Sequence, residues 1–350
     1  VLRDWGRIGC VGFGGPPTHI ALLRELVVRR RRWLGADDFE DAIAACNLLP
    51  GPASTQLAIY CAWRVRGRAG ALVGGAAFIV PGLAAILALA ALFLAGSPPA
   101  WVRGAGLGAG SAVAAVALQA GFALLPGSFA RSAARVRWTA YLVAGGAAAA
   151  TVGPWLVLVL LACGAVELVL RRGLPSAALS VAPLAWVAFK VGALAYGGGF
   201  VIVPLMQGDA VGRYHWLTGP QFLNAVALGQ VTPGPVTHTV AVVGYGAAGL
   251  GGGLLAALIA FAPSFAFVLL GGGRFDRLRT APAARAFLDG AGPAAVGAIV
   301  GSAVPLAREL SHPWQYAVLA TAGVVLVVLR RGVVPTLVAA GLIGVLVTVT

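Results

Sequence analysis

Charged residues are scarce in this chain of 350 residues, of which only 10% are Asp, Glu, Lys or Arg. An average soluble domain has about 25%. A folded domain of this length needs far more polar surface in water, so the composition excludes an ordinary soluble enzyme. The four cysteines show no CxxC or CxxH spacing, which excludes a disulfide scaffold and gives no metal signature.

Long uncharged runs take the place of the missing charge, and 59% of the residues are hydrophobic. Ala69–Leu94 contains no charged residue, and similar blocks follow it: Gly104–Ala130, Thr139–Ala165, Gly246–Gly273 and Ala286–Ala307, the last with one Asp. A transmembrane helix needs about 20 apolar residues. The strand alternation of a membrane barrel is absent. The sequence therefore predicts an all-α polytopic membrane protein in a lipid bilayer.

The net charge of +14 comes from arginine, since the 25 basic residues include a single lysine, Lys190. Most arginines lie in short gaps between apolar blocks, which is typical of cytoplasmic loops. The basic balance therefore does not indicate a nucleic-acid partner. The chain begins at Val1 rather than Met, so we expect further residues before it, and no cleavable signal peptide is recognisable.

An internal repeat organises the chain. Three signatures recur at one constant offset without a gap: Gly14-Gly15 as Gly197-Gly198, Trp33-Leu34 as Trp216-Leu217, and Pro50-Gly51-Pro52 as Pro233-Gly234-Pro235. Rare signatures in one register indicate a duplication. We expect two membrane repeats, residues 1–175 and 176–350.

Arginine placement predicts that the repeats insert in opposite directions. The gap after the first Pro-Gly-Pro (PGP) segment carries Arg64, Arg66 and Arg68, whereas its counterpart, residues 246–253, has no charge. This bias changes sign in each of the next two gaps. Because cytoplasmic loops attract arginine, the pattern favours inverted repeats, which are typical of secondary transporters with alternating access.

Each PGP tripeptide divides a segment whose two ends favour the same side of the membrane. Phe39–Trp63 lies between two arginine clusters, and each limb has about 11 residues, or about 16 Å of helix, half a bilayer. We predict a re-entrant hairpin with PGP at its tip, and a second one, Phe222–Tyr245, from the opposite side. With about five spans per half, the total is about ten transmembrane helices.

Polar residues at matched repeat positions are the candidate binding residues. They comprise two cations, two amides and two hydroxyls: Arg7 and Lys190, Asn47 and Gln230, Ser54 and Thr237. A charge buried in a membrane is costly and marks function, although a snorkelling cation is the alternative for Lys190. Further donor candidates follow the breaks: His19, Thr55, Gln56 and His238. Either histidine could instead serve helix packing, and His238 could also carry a proton.

The helix breaks next to these residues indicate an anion site. A helix that restarts after Pro52 or Pro235 offers unpaired N–H groups and a positive dipole end. Glycine permits close backbone approach, and the candidate glycines are Gly14, Gly15, Gly51, Gly197, Gly198 and Gly234. The alternative is that they only allow tight helix packing. We predict no cofactor and no bound metal.

An acidic motif offers a second interpretation. Asp37, Asp38 and Asp41 have the DDxxD spacing that holds Mg²⁺ and diphosphate in prenyl-transferring enzymes, which would make the chain a membrane transferase. The repeat partner, Gly219–Leu223, has no acid, and no second acidic motif completes a metal site. An acidic helix start is the simpler interpretation. The chain also lacks a P-loop, so we predict neither an enzyme nor an ATP-driven pump.

The motifs together resemble the chromate ion transporter family in its long, two-domain form. The similar segments are Phe13–Ile20, Arg32-Trp33, Leu49–Pro52 with Gln56, Tyr196–Gly199, Trp216–Thr218, Gly229–Val236 and Pro263–Phe265. The resemblance implies a multi-pass carrier of the bacterial inner membrane that exports chromate, with sulfate as a competing or exchanged oxyanion. It also implies about ten spans in two oppositely oriented halves. A carrier or channel for another anion is the alternative, and a homodimer is compatible with the sequence.

Overall fold

The computed structural model describes residues 1–13, 15–48, 52–130, 132, 134–152, 155–172, 202–271 and 282–349. Within these ranges every regular element is a helix and no strand occurs. In the first half the helices are α1 Leu2–Val11, α2 Pro16–Arg24, α3 Ala36–Leu48, α4 Ala53–Phe93, α5 Ala100–Ser111, α6 Val113–Ala130, α7 Arg135–Thr151 and α8 Leu156–Arg172.

The second half continues with α9 Ile202–Gln207, α10 Gly219–Val231, α11 Thr239–Gly271, α12 Pro282–Gly301, α13 Ala303–Arg308, α14 Pro313–Gly323 and α15 Val333–Val349. Turns of π-helix follow α2, α9 and α14, at Glu25–Arg30, Gly208–Arg213 and Val324–Val328. A 3₁₀ turn, Val236–His238, precedes α11.

Among the described residues, four helical stretches are long and apolar enough to cross a membrane: Ala53–Phe93, Ala100–Ala130, Val236–Leu270 and Arg285–Arg308. Two shorter apolar helices, Pro313–Val328 and Val333–Val349, follow them. On α11 large apolar side chains point outwards, and Leu258 is 69% exposed. The prediction of a helical fold with several apolar helices of membrane-spanning length is confirmed, as a multi-pass membrane protein requires.

The longest helix, α4, is two helices joined by a reversal. A straight helix of 41 residues would extend about 60 Å, twice the thickness of the hydrocarbon core. Gly67 instead adopts φ 61° and ψ −151°, which glycine tolerates best, and Gly74 packs against Ala62. Gly249 reverses α11 in the same way, with φ 60° and ψ −153°. The limb after each PGP segment therefore folds back on the following long helix.

Local backbone features recur at the offset of the sequence repeat. The π-helical turns at Glu25–Arg30 and Gly208–Arg213 are separated by that offset, and so are Arg32 and His215, which share φ 53°. Helices α3 and α10 have 13 residues each. The matched sequence positions thus adopt matched local conformations.

The core lies where α1, α4, α10 and α11 meet, around the buried rings of Trp5, Phe39, Phe78 and Phe222. In a second cluster α12 packs against α7 and α8, and separately α5 packs against α15. Small residues make these contacts close, since a Cβ on Gly145 would collide with the carbonyl of Ala294.

Candidate functional site

Polar side chains that flank the PGP segments are buried in the protein interior. Ser54, Thr55 and Gln56, in the first turn of α4, are at most 1% exposed. In the second half, Gln230 near the end of α10 and Thr237 and His238 in the 3₁₀ turn are 8%, 5% and 1% exposed. Burial of so many polar groups in a largely apolar core indicates a function, because an unpaired polar group there costs free energy.

The break after α1 and the second PGP turn are joined by hydrogen bonds. The N–H of Gly234 donates to the carbonyl oxygen of Gly12 at 3.0 Å, and His19 Nε2 lies 2.8 Å from the same oxygen. A carbonyl only accepts, so Nε2 carries the proton of the neutral ring. His19 Nδ1 then accepts from the Ser54 hydroxyl at 3.2 Å. The Ser54 hydroxyl therefore donates its hydrogen bond to His19 and has no proton left for another acceptor.

Helix α4 supplies the other wall of this site. A Cβ on Gly82 would collide with the carbonyl oxygen of Pro233 and come within 3.0 Å of the His238 ring. Only glycine therefore lets the second PGP turn approach α4 this closely. The His238 ring packs edge-on against Phe261, with centroids 5.3 Å apart, as the His19 ring packs against Phe78 at 5.1 Å. Both imidazoles are thereby fixed in orientation.

Several buried polar groups at this site have no hydrogen-bond partner among the described residues: Thr55 Oγ1, Gln230 Nε2 and Thr237 Oγ1. The His238 ring is buried with them near the backbone of Ile79, and a neutral imidazole offers one donor and one acceptor. An unsatisfied buried polar group costs about 1–3 kcal/mol, and native proteins satisfy nearly all such groups with protein, water or ligand. The arrangement is suited to donate hydrogen bonds to a bound acceptor.

The structure does not bring every predicted residue to this group. Arg7 is exposed on α1, next to Arg3, Asp4, Arg30 and Arg31 around a surface cavity. Gly15 begins the turn into α2 with φ 74°. Outside the described residues lie Lys190, Gly14, Gly51, Gly197 and Gly198, together with the side chain of Asn47.

Gly12 and Gly82 were not identified as site residues from the sequence. Gly12 acts through its backbone oxygen, and Gly82 acts through the absence of a side chain, so neither residue type indicates its role.

Glu167 was also not identified from the sequence. It is 2% exposed and accepts hydrogen bonds from Arg137 at 2.9 Å and Arg171 at 2.6 Å. A single acid at the end of an apolar run was the available signal. This network joins α7 to α8, and Arg171 extends it to Asp289 on α12 at 2.9 Å.

The acids of the DDxxD motif lie at the exposed start of α3, and Asp38 faces an arginine. Asp38 lies 3.7 Å from Arg64, and the neighbouring Glu40 pairs with Arg24. In the part of the chain that the structure describes, no three His, Cys, Asp or Glu side chains are grouped to hold a metal ion. These contacts fit the interpretation as an acidic helix start.

Comparison with known proteins identifies the family of the chain. The family model described as "Chromate transporter" matches residues 1–168 and 182–345. A chromate transport protein of Cupriavidus metallidurans is 32% identical, with 87% of this chain and 81% of that protein covered. A chromate transport protein of Pseudomonas aeruginosa is 29% identical, with 86% and 79% covered, and a probable one of Synechococcus elongatus is 28% identical, with 87% and 84% covered. No solved structure matches. The chain belongs to the chromate transporter family.

Proposed function

We propose that this protein is a secondary carrier that moves chromate across the bacterial inner membrane. The names of its relatives support the substrate, and the apolar helices support the membrane. The observation that carries the proposal is the group of unpaired buried donors beside the PGP turns. Chromate accepts hydrogen bonds at four oxygens, so a group of buried side chains that can each donate a hydrogen bond is complementary to it.

The proposed substrate position lies between the two PGP turns. Thr55, Gln230, Thr237 and His238 donate to the oxyanion, and backbone N–H groups of the restarted helices add to them. Ser54 has a different role, because its hydroxyl holds His19 in place. Gln56 lines the same first turn of α4.

Lys190 and Asn47 complete the proposed site on sequence grounds. Lys190 supplies the positive charge that a dianion requires in a membrane, and Asn47 is the repeat partner of Gln230. The glycines beside the breaks, Gly14, Gly15, Gly51, Gly197, Gly198 and Gly234, let the backbone approach the anion. Arg7 adds positive charge at the surface rather than at the buried donors.

The proposed topology has two inverted repeats, residues 1–175 and 176–350, with about ten spans and two re-entrant PGP hairpins. The alternating arginine bias supports it, since Arg64, Arg66 and Arg68 surround the first helix reversal and the second has no charge. The reversals at Gly67 and Gly249 also leave a limb of about 13 residues after each PGP turn, about 20 Å and too short to cross the membrane.

Alternating access of the two repeats around one site would carry the anion outwards, with sulfate as a competing or exchanged substrate. Purified protein in proteoliposomes tests this with radiolabelled chromate and sulfate, with and without a pH gradient. We expect saturable chromate flux that excess sulfate inhibits. Absence of flux for both anions in correctly inserted protein would refute the oxyanion assignment, and unsaturable flux would indicate a channel.

A further inference from the structure

Four arginines surround a surface cavity near the start of the described chain. Arg3 and Arg7 lie on α1, and Arg30 and Arg31 lie at the end of the π-helical turn after α2. Together with Asp4 they line a cavity of about 520 Å³. Arg31 pairs with Asp4 at 3.3 Å, whereas the other three arginines form no ion pair within the described residues. The cavity therefore carries an uncompensated positive charge.

The surface next to this cavity suits the boundary between lipid and water. Trp33 is 37% exposed and stacks on the buried Trp5 with ring centroids 6.1 Å apart, while Arg31 lies over its face at 5.4 Å. Leu2, at the start of α1, is 66% exposed. Tryptophan rings in membrane proteins concentrate at the level of the lipid headgroups. The guanidinium groups are thus placed at headgroup depth, beside apolar surface that acyl chains can cover.

Only half of this arginine cluster has a basic counterpart in the second repeat. At the repeat offset, Arg7 aligns with Lys190 and Arg30 with Arg213, whereas Arg3 aligns with Trp186 and Arg31 with Tyr214. The complete cluster therefore does not recur, and a contact that both repeats make with the substrate does not account for Arg3 and Arg31. In the proposed topology the cluster faces the cytoplasm, where the leaflet is rich in anionic lipid.

We propose that Arg3, Arg7 and Arg30 bind the phosphate headgroup of an anionic phospholipid from the cytoplasmic leaflet. Guanidinium groups bind phosphate oxygens in pairs of parallel hydrogen bonds, and three of them around one cavity give more specificity than diffuse surface charge. The lipid would join α1 to the π-helical turn at the membrane surface.

Native mass spectrometry of the delipidated, detergent-purified full chain tests this by titration with phosphatidylglycerol and phosphatidylcholine. The variant Arg3→Gln/Arg30→Gln leaves the buried donors and Arg7 unchanged. We expect the wild type to prefer phosphatidylglycerol, and the variant to bind it about 25-fold more weakly, about fivefold per basic residue. The matched control Arg330→Gln/Arg331→Gln removes two exposed arginines from a gap between two apolar helices, a position that favours the cytoplasmic side, and should bind as the wild type does.

Two results would overturn the proposal. One is an equal loss of phosphatidylglycerol binding in the control variant, which would indicate diffuse attraction to the leaflet. The other is thermal stabilisation of the wild type, but not of Arg3→Gln/Arg30→Gln, by inorganic sulfate without any lipid preference, which would make the cluster a site for free oxyanions. Neither measurement depends on chromate flux, so this proposal and the transport proposal can fail separately.

Discussion

The backbone N–H of Gly234 donates a 3.0 Å hydrogen bond to the carbonyl oxygen of Gly12, and so joins the second PGP turn to the first helix break. His19 donates to the same oxygen at 2.8 Å, which uses both of its lone pairs. One acceptor thus connects a segment near the start of the chain to a segment in its second half. If the two repeats move against each other during transport, this junction either breaks or acts as the pivot.

Replacing His19 tests that junction. His19→Ala removes a donor to Gly12 and leaves the Ser54 hydroxyl without its acceptor, and an orphaned buried group costs about 1–3 kcal/mol. We expect a lower melting temperature in detergent from that cost, and a loss of chromate flux because the second PGP turn is no longer held against the first helix break. The matched control is His215→Asn, because His215 is exposed and Asn tolerates its left-handed backbone. Equal flux in the two variants would show that the junction has no role in transport.

The contact between Gly82 and the second PGP turn gives a steric prediction. A methyl group at this position meets the carbonyl of Pro233 and the ring of His238, and such overpacking costs about 1–3 kcal/mol. Gly82→Ala should therefore displace the turn and reduce chromate flux. Gly251→Ala is the matched control, since a Cβ there has no neighbour within 4 Å and alanine favours the helix. A fully active Gly82→Ala protein would contradict the close approach of α4 to the turn.

The sequence predicted the helical membrane class because that class follows from composition and run length, which no tertiary contact can override. The buried environments of Gln230, Thr237 and His238 were predictable in the same way, since each follows or precedes a PGP break at a fixed spacing. Apolar membrane segments contain few polar residues, so each of those few is a candidate for the binding site.

Other parts of the site were beyond prediction from the sequence. The bond from Gly234 to Gly12 is made by backbone atoms, and nothing in the two residue types specifies it. Arg7 shows the opposite error, since its repeat partner Lys190 suggested a paired role, while its position on α1 turns it to the surface. Helix periodicity gives the face of a residue only when the neighbouring helices are already known.

Thr237 offers a test in which stability and function respond differently. Its Oγ1 is buried without a partner among the described residues, so Thr237→Val removes an unsatisfied group at nearly constant shape. We expect an unchanged or higher melting temperature, but a KM for chromate raised about tenfold or more, because a hydrogen bond to a charged group contributes about 1.5–3 kcal/mol. In the control Thr321→Val, an exposed hydroxyl bonded to Ala317 is lost and KM should not change. A destabilised Thr237→Val protein with normal KM would remove Thr237 from the site.

Lys190 is the residue on which the charge balance of the proposed site depends. Chromate carries two negative charges at neutral pH, and neutral donors alone do not compensate for the water that it loses on entering a membrane. Lys190→Ala should therefore abolish chromate flux, while the protein still inserts and purifies in normal yield. Lys190→Arg keeps the charge and should retain part of the flux. Chromate resistance and flux at wild-type levels in Lys190→Ala cells would show that the positive charge comes from another residue. The variant Arg7→Gln in the same assay would then show whether Arg7, the repeat partner of Lys190, supplies that charge.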